Sequence, residues 1–167
     1  GNKLDGLKEK DLIGIPWMLA FALRADGWYL RQDIIWNKSN PMPESVRDRC
    51  TKSHEYLFLL SKNQNYYFDV DAIKEPTRRK RSVWNITKKG YKDAHFAVYP
   101  PELVIPCIKA GSEKNDIILD PFMGSGTTAM VAKSLGRHYI GCELHEGYGK
   151  LIKNRIGELR GTLKEFL

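Results

Sequence analysis

The sequence contains no run of about 18 apolar residues and no charged-then-apolar leader ahead of a cleavage site, which argues against membrane insertion and secretion and leads us to expect a cytoplasmic protein. Cysteine is scarce. Cys50, Cys107 and Cys142 are an odd number with no C-x-x-C pair, the pattern of free thiols in a reducing compartment. The pair Cys142-x-x-His145 has no companion at ligand spacing, so no metal is expected. Internal repeats and low-complexity tracts are also absent. At 167 residues and 42% hydrophobic content, the chain is long enough for one compact domain.

Charge of one sign is not scarce. The formal net charge is +7, and residues 74–92 (KEPTRRKRSVWNITKKGYK) hold eight Lys/Arg against one Glu, so this segment alone accounts for it. Arg78, Arg79, Lys80 and Arg81, followed by Lys88 and Lys89, form an electrostatic footprint for phosphates, and Trp84 and Tyr91 add rings able to stack on bases. A solvated basic loop is the plainer alternative.

Hydrophobic periodicity predicts the following elements. Residues 15–25 (IPWMLAFALRA) read as a helix with Pro16 in its first turn, apolar nearly all round and therefore buried, with Trp17, Met18 and Phe21 in the core. Residues 28–37 read as a strand, and residues 56–61 and 66–69 as paired strands around a turn at 62–65. Trp36 is a candidate for either the core or a substrate cleft, and Glu55 for an ordinary ion pair. Residues 101–110 read as a helix entered through Pro101, with Pro100-Pro101 as the helix entry. Residues 146–167 read as a closing amphipathic helix.

The most informative stretch is 117–128, IILDPFMGSGTT. An apolar strand ends in Asp120, turns through Pro121, Phe122, Gly124 and Gly126, and opens a helix at Thr127 and Thr128. A phosphate-binding P-loop is excluded, because Gly126 is followed by Thr-Thr where that loop needs Lys-Ser/Thr. The permissive dinucleotide fingerprint fits Gly124-x-Gly126-x-x-Ala129, with Glu143 after the next strand. Asp120, however, would set a carboxylate beside a pyrophosphate, where like charges repel. S-adenosylmethionine carries a sulfonium, an ammonium and a carboxylate instead of phosphates, and an acid at this turn suits it. Glu143 stands where its two oxygens can accept both ribose hydroxyls.

The segment LDPFMGSGTTAMVAKSLGRHYIGCELHEGY, with the upstream blocks DGWYLRQDIIWNKSNPMPES, TKSHEYLFLLSKNQNYYFD, RSVW and HFAVYPPELVIPCIKAGS, resembles the S-adenosylmethionine-dependent DNA methyltransferases that modify adenine N6 or cytosine N4, in the subgroup whose cofactor motif lies toward the C-terminus. The resemblance implies an α/β, Rossmann-like methyltransferase sheet with helices on both faces. It implies a cofactor site of Asp120, Pro121, Phe122, Gly124, Gly126, Thr127, Thr128 and Glu143, joined by His95 as a polar contact and Phe96 as a wall near the methionine end. It also implies DNA as partner, with Arg78, Arg79, Lys80, Arg81, Lys88 and Lys89 as contacts. Residues 1–73 would be the substrate side, 74–92 a basic loop and 93–167 the cofactor half.

One expected motif is missing. Members of that family hold the target amino group with Asp, Asn or Ser, then Pro-Pro, then an aromatic residue, and this sequence has only Tyr99-Pro100-Pro101-Glu102. No catalytic residue is assigned. The expectation is a C-terminal part of such an enzyme, its central strands missing and its sheet incomplete or completed by a partner chain or a homodimer. The competing readings are a non-catalytic basic nucleic-acid-binding module and, more distantly, a nicotinamide dinucleotide-binding domain.

Overall fold

The structure is a computed structural model that describes residues 6–87 and 98–157. It is α/β and divides into two compact units, Gly1–Ile34 with Tyr56–Tyr66, and Ile35–Glu55 with Tyr67–Leu167. In chain order the elements are α1 (Ile15–Ala25), β1 (Tyr29–Asn37), β2 (His54–Ser61), β3 (Val83–Asn85), α2 (Pro101–Gly111), β4 (Ile117–Asp120), α3 (Thr127–Ser134), β5 (His138–Gly141) and α4 (Tyr148–Gly157). Among the described residues, no helix is long and apolar enough to cross a membrane. The three cysteines are free thiols.

In the first unit, α1 has the predicted limits, with proline in its first turn, but it is not buried all round. Ala20 is its buried residue, whereas Met18 and Phe21 are exposed. Of the expected core trio only Trp17 is not exposed, and it packs edge-on to Tyr56 and Phe58 of β2 at ring separations of 5.4 and 4.9 Å. An apolar stripe buries only where a neighbouring surface reaches it, and in this unit that surface is the aromatic face of β2.

The second unit contains the C-terminal end of β1 and the whole of β3, which pair in parallel with Ile35 opposite Val83, Trp36 opposite Trp84 and Asn37 opposite Asn85. The strand order in this sheet is β2-β1-β3. Trp36 is a core residue, with its indole N–H donating to the Ile86 carbonyl at 2.8 Å. Lys38 is the ion-pair partner of Glu55. The strand expected at residues 66–69 does not form, for a local reason. The Asp69 carboxylate accepts the N–H groups of Asp71 and Ala72 at 3.0 and 2.9 Å and bends the chain, while the Asp69 N–H donates to Ala110 at the end of α2.

The β4-α3-β5 segment is a parallel βαβ unit in which Ile117 faces His138 and Asp120 faces Gly141 across the ladder. Its core is made on one side. Ile108 of α2, Val131 and Ala132 of α3, and Leu135 cluster with Val104, Ile105, Ile118 and Met130 around them. A second cluster of Met123, Ala129 and Ile156, with Ile152, seats α4 against α3 and the turn before it. Arg137 staples this layer by donating to the carbonyls of Ser112 and Leu135 at 2.6 and 2.7 Å.

Candidate functional site

The turn between β4 and α3 is built almost wholly from backbone and carboxylate hydrogen bonds. Gly124 and Gly126 adopt φ values of 53° and 82°, in the left-handed region that a side chain disfavours. Gly126 is also the residue preceding the first turn of α3, and a Cβ on it would lie 3.3 Å from Ile152 of α4. The first turn of a helix leaves backbone N–H groups without intrahelical partners, so the turn presents donors at its mouth. Thr127, 1% exposed at the head of α3, has a buried hydroxyl with no hydrogen-bond partner. Phe122, in contrast, is 86% exposed.

Two carboxylates hold the turn from either side. Asp120 accepts the Phe122 N–H at 3.0 Å on one oxygen and the Tyr99 hydroxyl at 3.1 Å on the other. With its one proton committed to Asp120, Tyr99 accepts from the Thr128 hydroxyl at 2.7 Å. Tyr99 thus joins the entry of α2 to the end of β4 and the first turn of α3. Burial pushes its pKa up to about 12, with the Thr128 hydrogen bond opposing the shift.

Glu143 lies across the turn, two residues beyond β5, and accepts the Gly124 N–H on one oxygen and the His145 N–H on the other, both at 2.8 Å. The His145 N–H, and after it that of Gly124, hold its carboxyl below the usual carboxylate range. An ionised carboxylate offers about four lone-pair sites. Two are used here, which leaves room for further donors.

The structure places Asp120, Pro121, Phe122, Gly124, Gly126, Thr127 and Thr128 along the β4–α3 turn, with Glu143 bonded across it. It gives Asp120 a specific task, ordering the turn by accepting bonds from within the protein. His95, Phe96, Lys88, Lys89 and Tyr91 lie outside the described residues.

The basic segment is less uniform than its sequence suggests. Arg78 pairs with Glu75 at 2.5 Å, and the two residues close a tight turn by exchanging backbone hydrogen bonds. The expectation that Trp84 stacks on bases is corrected. It is 6% exposed as part of β3, its indole N–H donates to the Arg81 carbonyl at 2.8 Å, and Lys80 sits over its ring. Arg79 and Arg81 are exposed.

Two contacts were not anticipated. Tyr99 was read only as a lead-in to Pro100-Pro101, and nothing in its sequence context marks a hydroxyl bound to residues 21 and 29 positions away. The other is Arg155 of α4, whose Nη1 donates to the Ser125 hydroxyl at 2.6 Å. Here a signal was available, since Arg155 shares a helix face with Ile152 and Ile156, where an apolar residue would be expected.

The N6/N4 methyltransferase family model, described as DNA methylase, matches residues 6–154. The type II methyltransferase M.SmaI of Serratia marcescens is 55% identical over 159 residues, covering 91% of this chain and 54% of that protein. The chain thus spans about half the length of the curated relatives it matches. The crystal structure of an M1.HpyAVI-SAM complex is similar with a TM-score of 0.68 at 30% identity, over 87% of this chain and 71% of that one. The cytosine-N4-specific PvuII DNA methyltransferase aligns with a TM-score of 0.78 over 99% of this chain and 64% of its own, and at 18% identity that is a likeness of fold.

Proposed function

The chain belongs to the N6/N4 DNA methylase family, and from that premise we propose that it is the cofactor-binding part of an S-adenosylmethionine-dependent DNA methyltransferase acting on the exocyclic amino group of adenine or cytosine. The observation that carries this reading is the Glu143 carboxylate, held ionised 2.8 Å from the Gly124 N–H at the mouth of a strand-turn-helix.

The residues present fit the cofactor. Glu143 has lone pairs left for the two ribose hydroxyls, the first turn of α3 presents backbone donors for a carboxylate, and Phe122 offers an exposed ring to an adenine. The buried Thr127 hydroxyl is a further group that a polar ligand atom would satisfy. When bound, S-adenosylmethionine supplies an activated methyl group. The protein's own part is to orient it and to exclude water from it, as in other transfers whose rate comes from positioning. Two carboxylates flanking the turn disfavour a pyrophosphate, which argues against a nicotinamide dinucleotide.

The target amino group needs a further element. The Pro-Pro-aromatic segment that grips it in related enzymes is not among these 167 residues, and the β4–β5 sheet exposes Ile117, Leu119 and Ile140 on one face. We assign both to polypeptide outside these residues, corresponding to the half of the curated relatives that this chain does not match, which covers that face and carries the motif. Arg79 and Arg81, exposed on the basic segment, are the DNA-facing cations of this reading.

Calorimetric titration tests the cofactor assignment. Saturable binding of S-adenosylmethionine with none of NAD is expected, and binding of NAD alone would overturn it. Duplex DNA binding measured against salt tests the cations. Arg79→Ala and Arg81→Ala should each lower the salt slope by about 1. Strong DNA binding with no cofactor binding would favour the alternative of a non-catalytic nucleic-acid-binding module.

A further inference from the structure

Arg155 is the only buried charged side chain among the described residues, at 7% exposure. Taking a guanidinium out of water is costly unless its donors are used, and a methionine would fill the same space on the apolar side of α4 without that cost. One compensating partner is the glycine-rich turn. Nη1 donates to the Ser125 hydroxyl at 2.6 Å and reaches the Ser125 carbonyl at 3.5 Å.

Ser125 is itself buried and sits between the two glycines with positive φ, so it carries the only side chain of the Gly-Ser-Gly tripeptide by which the turn can be gripped. Three positions earlier on the same face of α4, Ile152 closes against Gly126, where a Cβ would come within 3.3 Å. Helix α4 thus meets the turn at two consecutive points, one polar and one apolar.

We propose that Arg155 is a positioning residue for the cofactor. By holding Ser125 from behind, it fixes the backbone angles of Gly124 and Gly126 and thereby aims the donors of the turn. This rests on the assignment of S-adenosylmethionine to that turn. Free glycines sample both signs of φ, so a turn flanked by two of them is ordered only if something outside it imposes the angles. Arg155 and Ile152 impose them from one side, while Asp120 and Glu143 do so from the strand ends.

The test uses Arg155→Met, Arg155→Lys, Ser125→Ala and the Arg155→Met/Ser125→Ala double variant, with S-adenosylmethionine affinity from calorimetry and melting temperature read separately. Arg155→Met should weaken binding about tenfold, and Arg155→Lys, which keeps one charged donor, should recover most of that loss. Ser125→Ala should weaken binding to a similar extent and lower the melting temperature, because Arg155 loses a partner, and the double variant should regain stability yet bind no worse than the weaker single one, because both remove the same contact.

The inference is overturned if Arg155→Met lowers only the melting temperature, or if the two losses multiply. Should Arg155→Met fail to fold, unchanged affinity in Ser125→Ala overturns it alone. Absence of binding by the parent chain sinks the cofactor assignment and this inference together. Normal binding by both parent and variants sinks only the inference.

Discussion

The two faces of the β4–β5 sheet carry similar side chains in very different surroundings. Ile118 faces Val131, Ala132 and Ile108 and is part of a dry cluster, whereas Ile117 and Leu119 are each 63% exposed and Ile140 53%. The register sets Leu119 beside Ile140, so these residues form one apolar strip on one face. Strands that are apolar on both faces are typical of parallel sheets covered on both sides. The covered face here is also the one whose connection, from Asp120 to Thr127, forms the candidate site. A cofactor turn can therefore be assembled by one layer of helices, α2, α3 and α4, while the opposite face still calls for a cover.

Substitutions on the two faces give the widest contrast. Val131→Asp places an unpaired carboxylate at a position with 0% exposure and should cost about 3–5 kcal/mol, enough to unfold a marginal chain. Leu119→Asp, on the bare face, should change stability by no more than about 0.5 kcal/mol. Urea unfolding of both variants measures the difference. Equal losses would mean that the bare face is already packed in solution.

A smaller effect is expected where the covered layer meets the turn. Tyr99→Phe removes the hydroxyl shared by Asp120 and Thr128 and should cost about 1 kcal/mol. Its pH signature has a definite sign. The pKa in the folded protein is raised, to about 12, so the contribution is fully present below the unfolded value near 10 and is lost as pH rises through the folded value. Alkaline unfolding profiles of the parent and of Tyr99→Phe should differ in that window. Overlapping profiles would show that the hydroxyl is not held as described.

Smaller still is the acid limb at Glu143. Its pKa is depressed by the N–H groups of His145 and Gly124, so its contribution is present above the ordinary carboxylate value and is lost only as pH falls through the lowered one. Cofactor affinity should stay level as pH is lowered from neutrality to about 4.3, the ordinary glutamate value. A steep loss above that would contradict a carboxylate held by two backbone donors.

How much of this was legible in the sequence depends on how local each cause is. The limits of α1 and α2 follow from proline in the first turn and from apolar spacing, and the β4–α3 turn follows from its glycines, so all were readable. The burial of α1 was overestimated, because an apolar helix reveals its own preference and not whether a partner surface reaches Met18 and Phe21. Strand β3 was missed since it is only three residues long and exists by pairing with β1, some 48 positions away. The expected strand at 66–69 lost to a side-chain cap at Asp69. At the site, the residue types were legible but the contacts behind them were not, even where a misplaced charge such as Arg155 gave a signal. Tyr99 and Arg155 act through contacts that only the folded chain creates.

The central claim is that the covered face alone builds a working cofactor site. Calorimetry of S-adenosylmethionine with this 167-residue chain and with Glu143→Ala tests it most directly. Saturable binding at one site per chain, lost in a Glu143→Ala variant that stays folded with only a small fall in melting temperature, is the predicted result. No binding by the parent chain, or equal binding by the variant, would contradict it.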